Sequence, residues 1–316
     1  MVHLAFADGL GVYRGELAAL GTALCWTVSA LAFTASAKRI GPLVLNLVRL
    51  LMALAFLSIY GWAVRGLPMP SDATAHQWAW LGLSGLVGFA LGDLCLFRAL
   101  VLIGPRLTML LMALAPPIAA IVGWLWLKEA MSARGVVGMA LTVAGVAWVV
   151  LERRPVVRGQ GTGTAAGAVR SASPAGILLG LGGAVGQALG LVLSKVGKAG
   201  YDAFAGTQIR ILAAMAAFAV LLTVLRVWPR FVAAFRHPGG MGYAAVGSLF
   251  GPALGVSLSL VAVEYARVGV AATIMAIVPV LIIPFVIVLH REKVSPRAVA
   301  GAAVAVGGVA LLFLRW

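Results

Sequence analysis

The sequence predicts an all-α integral membrane fold, with ten transmembrane helices in two inverted five-helix repeats. Three observations carry this: the composition, the spacing of breaks along the chain, and a register in which the second half repeats the first. Of 316 residues, 62% are hydrophobic and 10% charged, and the mean hydropathy is +1.06. A water-soluble domain of this length would expose more apolar surface than water tolerates. Almost every stretch of about twenty residues between charged or proline-rich breaks is long enough to cross hydrocarbon.

In chain order, the first span, Gly15–Ala37, stops at Lys38-Arg39, and the second, Pro42–Val64, stops at Arg65. Gln77–Leu102 and Pro105–Leu127 divide at Gly104-Pro105, and the latter ends at Lys128-Glu129. Ala133–Leu151 completes the first unit. The connection 152–172, rich in Gly, Ala, Thr and Arg, reads as a flexible linker. Ser173–Val196 ends beside Lys198, Ala203–Val227 before Arg230, and Met241–Ala266 at Arg267. Gly269–Leu289 stops at His290-Arg291-Glu292, and Pro296–Leu314 at Arg315. Only helices and closed barrels satisfy backbone polar groups in lipid, and these runs are too long for barrel strands. Residues 1–14 lack an ordered n-region, h-region and cleavage site, so the first span is expected to stay in the membrane. The expected division is an N-terminal segment 1–14, a repeat 15–152, a linker 153–172 and a repeat 173–316.

Placing Gly15 on Gly176 puts Leu20, Gly21 and Arg49 on Leu181, Gly182 and Arg210 without a gap. Further along, a constant shift carries Gly88, Gly92, Met112, Pro116 and Glu129 onto Gly251, Gly255, Met275, Pro279 and Glu292. Chance does not align interior prolines, helix-end glutamates and glycines in one register, so the chain is a duplicated unit. After five crossings the second unit enters from the opposite side, which relates the halves by a pseudo-twofold axis in the membrane plane. Such repeats suit alternating access, because each half can adopt the shape the other has just left. Transport is the function this predicts.

Gly92-Asp93, Arg98-Ala99-Leu100, Gly104-Pro105 and Ala115-Pro116 through Leu127-Lys128-Glu129 resemble the EamA-type transporters of the drug/metabolite transporter superfamily. Glu264-Tyr265-Ala266, Pro279 and His290-Arg291-Glu292 repeat that signature in the second half. The resemblance covers about Gly15 to Trp316. It implies ten helices in two inverted units and secondary transport, often export, of amino acids or related metabolites.

An arginine inside hydrocarbon costs about 2.5–3.5 kcal/mol on insertion scales and so suggests a role. Arg49 lies about 10 Å into its helix, and Arg210 holds the matching place in the second half. Two readings stand for the pair: cationic posts lining a central cavity, each able to hold a carboxylate, or snorkelling and helix-end pairing. Asn46, three residues before Arg49, shares its helix face, and Thr207 is its repeat partner. Trp26 aligns with Gln187. As a set these six are the expected substrate wall, although each polar group alone can simply bridge neighbouring helices. Asp93, whose counterpart is Val256, is read as a structural partner of Arg49 or Arg98, or as a proton-coupling group. Pro116, Pro117, Pro279 and Pro284 each remove a backbone donor, so a hinge or a static kink is expected there. Glu264 is expected to be solvated, and Glu129 and Glu292 to form interfacial salt bridges or caps.

Other classes fit less well. His3, His76, His237 and His290 are dispersed, and no two acids share a core helix face, so neither an enzyme nor a metal site is expected. No phosphate-binding glycine loop appears, and no cofactor is expected. The formal charge of +15 is scattered singly or in pairs, which argues against nucleic acid and for lipid headgroups. The expected partners are a small-molecule substrate and the lipid bilayer. A monomer is expected, with a homodimer as the lesser reading of the small-residue ridges Gly88/Gly92 and Gly247/Gly251/Gly255. The chain is placed in the inner (plasma) membrane. Thirteen loop Lys or Arg on the side away from the termini, against eight on the other, favour external termini, whereas the resemblance implies cytoplasmic ones. A lipid flippase and a non-transporting receptor are the rival functions.

Overall fold

The computed structural model describes residues 13–126, 128, 133–151, 173–266, 271, 274–290 and 294–313. The chain runs through α1 (Arg14–Ile40), α2 (Pro42–Arg65), α3 (Ala75–Met112), α4 (Ala115–Trp126) and α5 (Ala133–Leu151). It continues through α6 (Pro174–Lys198), α7 (Ala203–Val224), a short α8 (Trp228–Ala234), α9 (Pro238–Tyr265), α10 (Val278–His290) and α11 (Pro296–Phe313). Among the described residues, α1, α2, α3, α5, α6, α7 and α9 are long and apolar enough to cross a bilayer, and α4, α10 and α11 are shorter apolar helices. The expected roles of Glu129 and Glu292, and the linker 153–172, lie outside the described residues.

Local chemistry sets the ends. Gly41, at φ +83, lets α1 turn directly into α2, whose first residue, Pro42, gives up an amide that a helix start leaves free anyway. Thr74 and Gln77 close a capping box at the start of α3. The carboxylate of Asp202 accepts from Ala205 N (2.8 Å) at the start of α7. One expected boundary moves. Gly104, at φ +78, kinks α3, but helical structure continues through Pro105 to Met112, and the break comes at Ala113-Leu114. Pro116 and Pro117 explain this, since neither can donate the amide that would continue the helix across them. The second half breaks at Ala276-Ile277, just before its own Pro279. Pro284, by contrast, lies inside α10 without a break and is exposed. Both halves also carry a π-helical stretch at matching places, Gly85–Gly92 in α3 and Leu249–Gly255 in α9.

Packing follows the repeat register. The equivalent helices α2 and α7 pack on each other, as do α5 and α11. The first helix of each half packs on the third of the other: α1 on α9, and α6 on α3. Small residues allow the close approaches. A Cβ on Gly145 would lie 2.5 Å from Ala305 N, and one on Gly251 2.5 Å from Ser29 Oγ. Buried hydroxyls are mostly satisfied within their own helices, with Thr22, Thr27, Thr34 and Thr207 each donating to the carbonyl four residues back.

Candidate functional site

Where the two halves meet there is a cavity of about 150 Å³, lined from α1, α2, α3, α4, α6, α9 and α10. Its charged lining residues are Arg49 and Asp93, both buried, and Arg49 Nη2 donates to Asp93 Oδ2 at 2.5 Å. Asn46 orients the guanidinium from one turn back, because its Oδ1 accepts from Arg49 Nε (3.2 Å) while its Nδ2 donates to Pro42 O (3.0 Å). Three rings surround the same guanidinium: Phe97 at 4.8 Å, and Phe33 and Phe89 at 5.8 Å each. Phe33 and Phe97 meet edge to face at 5.0 Å.

Phe89, Asp93 and Phe97 follow one another at four-residue spacing along α3, so one face of one helix supplies the carboxylate and two of its rings. That spacing is a signal the sequence reading did not use. Trp26, Arg49 and Gln187 line the cavity, and so do Pro116 and Pro279. Asn46 is buried behind Arg49, and Thr207 bonds to Ala203 O and receives the hydroxyl of Ser257 (3.3 Å); neither is on the wall. Arg98 is exposed, and Asp93 pairs with Arg49 instead.

Arg210 sits beside the cavity rather than on its wall. Its backbone lies against Gly85, where any side chain would collide, and its guanidinium carbon stacks 4.5 Å from the centre of Phe89. Phe89 thus lies against two guanidiniums that are within about 10 Å of each other. Arg210 Nε is a buried donor without a hydrogen-bond partner among the described residues, and the side chain interacts electrostatically with Asp93.

The proline breaks open onto the same space. Without amides on Pro116, Pro117 and Pro279, the carbonyls of Met112, Ala113 and Met275 lose their usual donor four residues on, and all three residues line the cavity. Away from the cavity, Glu264, expected to be solvated, pairs with the Lys198 ammonium while remaining partly exposed. A bundle of apolar helices thus encloses an oriented ion pair, an aromatic surround and carbonyls without their usual helical donors, which can hold a small polar group in a low-dielectric space.

A crystal structure of a protein superposes with a TM-score of 0.63 at 23% sequence identity, covering 94% of this chain and 95% of that one. The likeness is one of fold. No curated protein matches the sequence significantly. The family comparison matches each half separately, over residues 13–151 and again over 174–314, with the break falling in the connection between α5 and α6. On that double match, the chain belongs to the EamA-like transporter family.

Proposed function

We propose that this chain is a secondary transporter of the inner (plasma) membrane. It moves a small organic solute, an amino acid or a carboxylate, by alternating access, in the export direction that the family resemblance implies. Ten crossings in two inverted five-helix units, 15–152 and 173–316 joined by 153–172, would form its frame. The observation that carries the reading is the Arg49–Asp93 pair facing a cavity walled from both halves. A buried ion pair next to an empty space is poorly explained by stability alone, because desolvation offsets most of its attraction. It is well explained as a binding element whose free donors meet a ligand. Arg49 would hold the anionic group, Trp26 and Gln187 would frame the rest, and Asn46, Thr207 and Arg210 would support from behind. Rocking would use the breaks at Pro116, Pro117 and Pro279, with Pro284 beyond them in α10.

The test is uptake by proteoliposomes across labelled amino acids, carboxylates and sugars, with and without a proton gradient. Saturable uptake of one member is expected, lost when Trp26 and Gln187 are both replaced by alanine. Gradient dependence lost in Asp93→Asn would assign proton coupling to Asp93. Folded, inserted protein that moves no member of the panel but scrambles labelled lipid would replace this reading with a flippase.

A further inference from the structure

The charges at this site do not cancel. Arg49 and Arg210 are both buried to 3% exposure, and among the described residues Asp93, buried to 7%, is the one carboxylate that interacts with both. Asp93 forms its ion pair with Arg49 and interacts with Arg210 only at longer range, so Arg210 stacks on Phe89 and its buried Nε has no hydrogen-bond partner among the described residues. The repeat explains the imbalance, because the position in the second half that matches Asp93 is Val256. Among the described residues, two cations and one anion within about 10 Å leave one net positive charge at the cavity. Carbonyls at Met112, Ala113 and Met275 are neutral and do not change that count. An uncompensated charge in a low-dielectric interior is strongly unfavourable, so its relief is available to a ligand as binding energy. The remaining wall is largely apolar, with Phe33, Phe97, Leu100, Met109 and Met112 around the ion pair.

We infer that the transported solute is a monoanion with an apolar body, and that Arg210 sets this preference through its charge rather than by contact. The inference rests on the transport reading above and narrows it. Bound next to Arg49, one carboxylate brings the site to neutrality. A zwitterion leaves the excess charge in place, a cation adds to it, and a dianion overshoots it.

Four molecules with one phenyl body separate these cases: 3-phenylpropionate, 3-phenylpropionamide, phenylalanine and phenethylamine. Their binding to purified full-length protein is read from Trp26 fluorescence, as the difference between wild type and Trp26→Phe, and from thermal shift. Wild type is expected to bind 3-phenylpropionate at least about tenfold more tightly than the other three. Arg210→Gln, which removes the excess charge, is expected to bring the carboxylate and its amide within about threefold of each other. Arg210→Lys keeps the charge and is expected to keep the wild-type order. A residue that only packed would weaken all four alike. Equal binding of phenylalanine or the amine by wild type, an unchanged preference in folded Arg210→Gln, competition by chloride as strong as by the carboxylate, or no binding of any probe would each overturn the inference. Saturable uptake of some other solute by the same protein would leave the transport reading standing in each case.

Discussion

Asp93 is held by Arg49, so removing Arg49 leaves Asp93 only its longer-range interaction with Arg210, and removing Asp93 leaves two buried arginines without their carboxylate. Breaking a buried pair in this way costs about 3–5 kcal/mol, whereas replacing both partners by apolar residues is often neutral. Arg49→Leu and Asp93→Leu are therefore each expected to lower the unfolding temperature in detergent, and the double variant, which still buries Arg210, to lose less than the sum of the two. Strictly additive losses would show that the two side chains are not coupled. Asn46→Leu keeps the ion pair but removes the Nε acceptor, a bond to a charged group, together with the bond to Pro42 O, and a smaller loss of about 1.5–3 kcal/mol is expected from it. Uptake should be absent from the double variant although it folds, which separates binding from stability. Asn46 and Arg49 were readable as neighbours because they sit three residues apart on one helix. The choice of Arg49 over Arg98 as the partner of Asp93 was not, since Arg98 follows Asp93 on the same helix, Arg49 lies 44 residues away on another, and only tertiary packing exposes Arg98. Arg210 and Thr207 were placed on the wall by repeat symmetry. That symmetry fails chemically at Val256, so the two arginines are not equivalent.

The elements place these residues by being imperfect. Replacing Pro116 and Pro117 by alanine restores donors to the carbonyls of Met112 and Ala113 and removes the reason for the break at Ala113-Leu114. The doubly substituted protein is expected to be more stable by about 1 kcal/mol or more and to turn over more slowly. Unfolding temperature and initial uptake rate check the two halves of that claim, and faster turnover would remove the hinge role. Glycines act in the opposite sense. Gly186 lies directly against the Gly92 backbone, so Gly186→Val forces α6 off α3 and should destabilise strongly. Gly307→Ala meets open space on α11 and should be neutral or stabilising by about 0.5–1 kcal/mol. Helix positions and proline breaks were legible in the sequence because hydropathy and missing amides act locally. The π-helical stretches were not: they differ from α-helix by one residue per turn, and nothing in the composition of Gly85–Gly92 or Leu249–Gly255 marks that. Nor was α8 legible, since Trp228–Ala234 is a helix of only seven residues that Pro229 starts anew after α7 ends at Val224.

At the scale of the molecule, the two halves are also tied outside the hydrocarbon, and this tie has a pH signature. The 66–74 connection of the first half meets the 199–202 connection of the second. There Tyr201 OH donates to Asp72 Oδ1 (2.7 Å), Arg65 Nη2 donates to Asp72 Oδ2 (2.5 Å), and Asp202 Oδ1 lies 4.0 Å from Arg65 Nε. Gln208 adds a bond to Pro68 O (2.8 Å). Burial, and then the bond to Asp72, push the Tyr201 hydroxyl up to about 12 from its ordinary 10.0. The same bond is the main reason that the Asp72 carboxyl lies below its ordinary 3.8. A raised pKa contributes stability that is fully present below the unfolded value and is lost as pH rises through the folded one; for Tyr201 that window runs from 10.0 to about 12. A lowered carboxyl works the other way, so the Asp72 contribution is present above 3.8 and lost as pH falls through its depressed value. The tie is therefore whole across the neutral range, and only substitution or extreme pH opens it. The difference in phenolate absorbance between wild type and Tyr201→Phe should titrate near pH 12 rather than near the ordinary 10.0. In Tyr201→Phe the Asp72 carboxyl should move back up toward 3.8. Because the tie joins elements that rocking would separate, Tyr201→Phe should also change the maximal uptake rate at pH 7 while leaving the half-saturating concentration near that of wild type. An ordinary tyrosine titration would show that Tyr201 does not hold Asp72, and an unchanged maximal rate would show that this face does not limit the movement of the two halves.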